Sequence, residues 1–528
     1  STTLLAWSAL ALAPPADTTF AAASARATAW LQNELGCLEA GAIRKAVLNH
    51  YGGDRTFSAP ILAMCALSGR LGPESTAWHQ VPQLPFELAT APRALFRILR
   101  LEVVSYALPA LIAIGLLRHR RLPTRNVLRR WFRDRVTGAL LARLRRLQPE
   151  HGGFLEAAPL TGFVAMSLAA AGLGDSIPAQ RAKEFLRQHV RADGSWPIDT
   201  DLATWVTVQA VKALVPTPAP GALPCPVWLT EAAPAIRAWL ISQQHRDVHP
   251  FTGARAGGWG WTDRAGAVPD ADDTAGALIA LRRLTPADAN RPDAVPLGLD
   301  WLLDIQNRDG GIPTFCRGWG RLPFDRSCPD LTAHALAAFT GWQDTEPPGK
   351  RARRMARATS RAIRYLEETQ AADGSWTPLW FGSQQRIDHA NPTYGTATVV
   401  RALEPLEAQD VPGAAALRAN GTTWLLAAQG NDGGWGAGPG LPASIEETAL
   451  AIAAIADRAP AECLDASVEW LVNATDNWQR FPAAPIGLYF ASLWYDEQLY
   501  PVVFSAAALT ALASARHQAV EPGSWSTP

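Results

Sequence analysis

The sequence predicts an all-α chain whose helical hairpins stack side by side and close into α/α toroids. Three observations predict it. A hairpin unit recurs every roughly 50–65 residues, each unit carries a Gly-rich turn followed by an aromatic, and strand signals are nearly absent. The units follow in order along the chain. Phe185-Leu186 leads to Asp193-Gly-Ser-Trp196, and Trp239-Leu240…Gln243 leads, after an insertion, to Gly257-Gly-Trp259. Trp301-Leu302…Gln306 leads to Asp309-Gly-Gly-Ile312, Tyr365-Leu366…Gln370 to Asp373-Gly-Ser-Trp376, and Trp424-Leu425…Gln429 to Asp432-Gly-Gly-Trp435. Trp30-Leu31-Gln32 reads as a degenerate copy, and Trp470-Leu471 opens another.

After each turn a second helix is expected: Thr200–Ala213, Thr274–Leu284, Asp330–Phe339, Gly395–Leu403, Glu446–Ala456 and Pro501–Ala513. Glycine lets the chain turn sharply at a helix end, and the following Asp, Thr or Ser caps the next helix. A Gln carboxamide and an indole N–H at fixed offsets can tie one helix end to the neighbouring turn. The second helices are small and aliphatic with no polar stripe. That favours a closed ring with inner and outer layers over an open solenoid.

Composition fits a chain with a large core. Hydrophobic residues make up 48% and charged residues 18%, which excludes a mostly disordered protein. The 48 Lys+Arg balance 48 Asp+Glu, so there is no basic excess of the kind a nucleic-acid binder carries. Trp is over-used, 21 against 7 Tyr, as expected if indoles serve the repeated turn or line a pocket. The six cysteines form no C-x-x-C pair and read as free thiols in a reducing compartment. The chain opens on Ser1 without Met and reads as a processed or partial product, its first helix starting at Leu4.

Val103–Leu117 is an uncharged apolar run, shorter than the roughly 18–20 residues that span a bilayer. Eleven Arg follow between Arg118 and Arg146, with Asp134 the one acid. Two readings stand: a buried helix followed by a solvated one, or an in-plane plateau near 93–135 whose Arg residues meet anionic headgroups.

One hairpin carries Pro269-Asp-Ala-Asp-Asp-Thr-Ala275, three carboxyls within four residues at a helix start. A single Asp suffices to cap a helix. Carboxylates this crowded in a low-dielectric cavity cannot all ionise, so one stays protonated. A neutral carboxylic acid facing an apolar cavity is a Brønsted acid able to protonate an alkene.

With this motif, the Gln…Gly-x-Trp turns and the order of hairpins, the sequence resembles the squalene–hopene cyclase family of class II terpene cyclases over nearly all its length. The resemblance implies two α/α barrel domains, here 1–195 and 196–528, with the C-terminal helices partly shared between them. It implies a monotopic protein on the cytoplasmic face of the membrane and a linear isoprenoid substrate, with no metal and no cofactor. A second copy of the chain is a further expected partner. Squalene or a similar polyprene would be cyclised through carbocations to a hopene-like triterpene. Asp272 would donate the proton, Asp270 and Asp273 would polarise it, and His334, in Asp330-Leu-Thr-Ala-His334, would come from the next outer helix to meet it. Trp261, Phe315, Trp380, Tyr489 and Tyr106 would offer π faces to the cation. Several positions depart from the family. Ile198 replaces a Trp, Ala157 and Ala158 replace an Ile-Gln pair that polarises the terminating water, and Phe315 lacks a family hydroxyl. Rival readings are a class II diterpene cyclase acting on geranylgeranyl diphosphate, a zinc-dependent prenyltransferase subunit, and a catalytically silent lipid-binding scaffold of the same fold.

Overall fold

The computed structural model describes residues 2–13, 18–52, 55–216, 223–286, 289–488 and 493–520. The chain divides into two compact units. The first comprises Ser1–Asp201 with 250–252 and 264–266, and the second the remainder from Leu202.

The first unit contains α1 (Thr2–Leu12), α2 (Thr18–Leu35), α3 (Ala40–Tyr51), α4 (Arg55–Leu67), α5 (Glu74–Gln80), α6 (Arg93–Ile98), α7 (Val103–Tyr106), α8 (Leu108–Arg121), α9 (Val127–Leu147), α10 (Ala158–Leu168) and α11 (Ile177–Gln188). The apolar run is not a surface plateau. It forms α7 and most of α8, whose residues Leu108, Ile112, Leu116 and Leu117 are fully buried between α4, α10 and the turn Phe86–Thr90. Pro109 sits in the first turn, where its missing N–H costs no hydrogen bond. Gly115 lets that turn approach, since a Cβ there would stand 2.6 Å from the Cβ of Phe86.

Much of the Arg run is structural. Arg118 Nε donates to the Val81 carbonyl at 3.0 Å, Arg121 pairs with Glu74, and Arg129 and Arg133 share Glu87. Exposed apolar side chains flank the core helix in the sequence. Among them are Leu95, Ile98 and Leu99 before it, and Val127, Leu128, Trp131 and Phe132 at the start of α9 after it.

The second unit contains α12 (Ala203–Leu214), α13 (Val227–Ser242), α14 (Ala271–Leu284), α15 (Ala294–Ile305), α16 (Pro329–Trp342), α17 (Lys350–Thr369), α18 (Pro392–Glu407), α19 (Ala414–Ala428), α20 (Ile445–Ile455), α21 (Ala461–Ala474) and α22 (Tyr500–Val520). The even-numbered helices form a closed inner ring. Each of α12, α14, α16, α18 and α20 packs on the next, α20 packs on α22, and α22 returns to α12. The odd-numbered helices lie outside, α13 on α14, α17 on α16, α19 on α18 and α21 on α20. These inner helices are the six second helices read from the sequence. Two short antiparallel pairs, Ile312–Pro313 with Ser327–Cys328 and Ile486–Leu488 with Leu493–Tyr495, decorate the loops.

The repeated turn is held as its residues suggest. The Gln306 carboxamide donates to the Gly310 carbonyl at 2.8 Å and to the Ala358 carbonyl on the next outer helix at 3.0 Å. Gln370 and Gln429 do the same toward Gly374 and Leu417 and toward Gly433 and Cys463. In the second hairpin the tie is made by Gln244, to Gly257 and Ala294, and not by Gln243. The helix there ends at Ser242, and Gln243 folds back onto it. The indoles of Trp196, Trp259, Trp376 and Trp435 each donate to a leucine carbonyl of the preceding helix. The first unit holds one more such turn, unmarked by Trp, in which Gln148 bridges the Gly152 and Pro178 carbonyls.

A threonine completes four of these turns in the second unit. The backbone N–H of Trp259, Ile312, Trp376 and Trp435 donates to Thr274, Thr332, Thr396 and Thr448 respectively, at 2.8–3.0 Å. The Thr of the acidic motif is therefore a clamp shared by four inner helices. Because the clamp sets the register, Asp272, Asp330, Tyr394 and Glu446, each two residues before it, occupy equivalent places at the N-terminal ends of the inner helices.

Candidate active site

Asp270 caps α14 in extended conformation, and its Oδ1 accepts from the Asp273 N–H at 2.8 Å. Both side chains are buried, and Asp270 Oδ2 and Asp273 Oδ1 have no hydrogen-bond partner. Burial pushes the Asp270 carboxyl up to about 7, and burial together with the neighbouring Asp270 holds Asp273 well above the ordinary carboxylate range. The helix N-terminus favours negative charge here, but burial outweighs it.

Asp272 points elsewhere. Its side chain keeps 18% exposure, and its Oδ1 lies 2.5 Å from Nδ1 of buried His334. His334 comes from α16, the neighbouring inner helix, and not from an outer one. Its Nε2 lies 3.0 Å from Nζ of Lys212 on α12. Burial, and then Lys212, lower the His334 pKa. Burial brings Lys212 down to about 7, against the pull of Asp272.

Asp330, at the equivalent station on α16, is also buried. Its carboxyl contacts the Cys328 thiol, and burial raises it to about 7. On α20, burial and Glu446 bring Glu447 to about 7 while Asn391 Nδ2 donates to it at 2.9 Å. The second unit thus holds several carboxyls that stay neutral below about pH 7.

Aromatic rings gather beside the acid-bearing helix ends. Phe315 meets Trp261 edge-on at 6.5 Å and Trp380 edge-on at 5.7 Å, with Phe324 within 5.7 Å of both Phe315 and Trp380. A second set runs Trp205–Phe381–Tyr394 through stacked contacts of 6.1 and 4.5 Å, and Trp205 Nε1 donates to the Tyr500 hydroxyl at 2.7 Å. Burial and nearby Asp272 and Asp330 raise the Tyr394 phenol well above its usual range. Tyr489 lies outside the described residues.

The remaining sequence candidates belong to the first unit. The Ala158 N–H donates to the Ile198 carbonyl at 2.9 Å and Ala157 bridges Asp199, so Ala157, Ala158 and Ile198 meet. Tyr106 is buried at the end of α7. Beside the alanines stands Glu156, which sequence reasoning passed over. It is buried with φ of 56°, a left-handed conformation that costs a non-glycine residue about 1–3 kcal/mol. Its carboxylate accepts from the Gly266 N–H at 2.8 Å and the Thr200 hydroxyl at 2.9 Å, with His151 Nε2 at 2.7 Å. Burial and Glu156 raise Asp199 to about 7.

Lys212, Asp330, Trp205, Phe381 and Tyr394 were also missed as site residues. Only Asp330 carried a signal, because it opens the segment that contains His334.

Residues 203–440 match the family model of the squalene-hopene cyclase C-terminal domain. The chain is 31% identical over 306 residues to the terpene cyclase-glycosyl transferase fusion protein fsoA of Humicola fuscoatra, which covers 51% of this chain and 22% of that one. It is 28% identical to a squalene hopane cyclase of Aspergillus fumigatus (44% and 35% covered). It is 27% identical to a copalyl diphosphate synthase of Streptomyces cyslabdanicus (59% and 48% covered). The chain therefore spans less than half the length of each of these relatives. Among solved structures, an ent-copalyl diphosphate synthase from Streptomyces platensis aligns over 90% of this chain and 92% of its own, at a TM-score of 0.48 and 20% identity.

Proposed function

We propose, for a chain that belongs to the squalene–hopene cyclase family of class II terpene cyclases, that it cyclises squalene or a similar neutral linear polyprene by protonating a terminal double bond. The observation that carries this reading is the contact of Asp272 with His334 at 2.5 Å, in a helix turn whose other two carboxyls are buried. In this reading Asp272 delivers its proton to the alkene carbon, a C–H bond forms, and the positive charge passes to the adjacent carbon. His334 holds the conjugate carboxylate. Trp261, Phe315 and Trp380 stabilise later cations through their π faces, each contact contributing about 0.5–2 kcal/mol. Loss of a proton or capture of water ends the sequence.

A second reading, cyclisation of geranylgeranyl diphosphate, is favoured by the similarity to the copalyl diphosphate synthase, which extends over 59% of this chain. Incubation with squalene and with geranylgeranyl diphosphate, with mass spectrometry of the products, separates the two. A polycyclic hydrocarbon or alcohol from squalene supports the first, and a cyclic diphosphate supports the second. No product from either sinks both in favour of a silent scaffold.

Membrane association at the cytoplasmic face belongs to the same proposal. Among the described residues no helix is long and apolar enough to cross a bilayer. Support comes from exposed Val127, Leu128, Trp131 and Phe132 next to exposed Arg125, Arg130 and Arg135, an arrangement suited to an interfacial helix end.

A further inference from the structure

His334 can hold its proton on either ring nitrogen, and the two tautomers present opposite faces to Asp272. Only with the proton on Nδ1 does the ring donate to Asp272 Oδ1, leaving Oδ2 to carry the acidic proton and stabilising the carboxylate once that proton has gone. A proton on Nε2 instead leaves a lone pair on Nδ1, which draws the carboxyl proton inward. The carboxylate cannot set the tautomer by itself, because each arrangement makes one hydrogen bond to it.

The other end of the ring decides. Lys212 Nζ lies 3.0 Å from Nε2, and Nζ 3.0 Å away on one side faces Asp272 Oδ1 2.5 Å away on the other, through a single imidazole. Below its value of about 7 Lys212 is an ammonium group, with donors and no acceptor, so there Nε2 must accept and the ring hydrogen must lie on Nδ1. α12, α14 and α16 are consecutive members of the closed inner ring, which holds the three side chains in line. We infer that Lys212 is a positioning residue that locks His334 in the Nδ1–H tautomer and so aims the Asp272 proton at the substrate.

The surroundings agree. Burial lowers His334, which favours the neutral imidazole, the form that must choose a tautomer. The charged neighbours of Lys212 are Asp272 and Asp273 from α14, which favour the ammonium, and Arg283 and Arg401 from α14 and α18, which oppose it. Nothing in the sequence marks Lys212. It lies 60 positions before Asp272 and 122 before His334, on a different helix from either, and only packing of the ring brings it to the imidazole.

The inference rests on the proposed acid role of Asp272, but its test does not. Nitrogen-15 NMR of histidine-labelled protein at pH 6, with the His334 signal assigned from His334→Ala, reads the tautomer directly. Wild type and Lys212→Arg should show Nδ1–H, and Lys212→Met should show Nε2–H or a mixture. In steady-state cyclisation of whichever substrate the wild type accepts, Lys212→Met should lose about tenfold or more in kcat, part of the roughly 10²–10⁴ a general acid contributes. Its KM should stay within twofold, and Lys212→Arg should recover most of the loss. An Nε2–H tautomer in the wild type, an unchanged tautomer in Lys212→Met, or a kcat of Lys212→Met within twofold of wild type overturns the inference. A wild type that shows Nδ1–H but makes no product from squalene or geranylgeranyl diphosphate overturns the cyclase reading and leaves the lock in place.

Discussion

Replacing Asp272 with Asn tests the reaction at its first step. The amide is isosteric with the carboxylic acid and its oxygen can still accept from His334, whose Nδ1 lies 2.5 Å from Asp272 Oδ1. The variant therefore loses the acidic proton while keeping the contact. General-acid catalysis contributes about 10²–10⁴ to a rate, and an alkene has no other activation in this site, so turnover should fall by at least that factor. Stability should hardly move. The side chain is 18% exposed and its ion pair is with His334; because the amide keeps that contact, the change should stay below the roughly 1–3 kcal/mol cost of leaving a buried polar group without a partner. Removing one carboxyl from beside Asp270 and Asp273 pushes in the stabilising direction. The assay is product formation from squalene and geranylgeranyl diphosphate, quantified by mass spectrometry, alongside urea unfolding of both proteins. Turnover within tenfold of wild type, with folding intact, would refute Asp272 as the proton donor.

Further outcomes follow from the same structure. Gln306→Ala removes two buried hydrogen bonds, to Gly310 and Ala358, and should cost about 1–3 kcal/mol at roughly 0.5–1.5 each; Gln243→Ala, whose side chain stays within its own helix end, should cost under about 0.5, and denaturant unfolding compares them. Stability should fall as pH rises from about 4 to about 7. Asp270 and Asp330 have folded-state values raised to about 7, so between the two values the folded chain binds more protons than the unfolded one. Urea midpoints across that range check the sign, and Asp330→Asn should flatten the slope. Leu128→Glu with Trp131→Glu, at residues 80% and 63% exposed, should reduce sedimentation with anionic liposomes at least severalfold; unchanged sedimentation removes this face from the membrane proposal.

The hairpin fold was legible because its turn is written in local residues. A Gln, a left-handed Gly and an indole sit within about ten positions of one another, and each partners a backbone group of the same or next hairpin. The six inner helices were readable for the same reason. The turn at Gln148 escaped notice because His151 and Phe154 flank its glycines, with neither the Asp nor the Trp that marks most of the others. The apolar run Val103–Leu117 could not be placed from its composition, since a fully buried helix and an interfacial one are equally uncharged; only the packing of α4 and α10 around it tells them apart. At the site, the acid motif was visible as three acids within four letters. Lys212 and Tyr394 were not, and Asp330 only through the segment it opens, because what brings them to Asp272 is packing around the ring between helices more than 50 residues apart. Glu156 escaped because a left-handed backbone at a glutamate leaves no mark in the sequence.

The shared threonine clamp makes the mouth of the second ring modular. Four neighbouring helices begin with the same fastening, so the residue two places ahead of it can be exchanged without disturbing the frame. One such socket holds Asp272, the proposed proton donor, and the other three carry an acid, a phenol and a second acid. New chemistry could thus be installed by swapping the contents of a socket while the scaffold stays as it is.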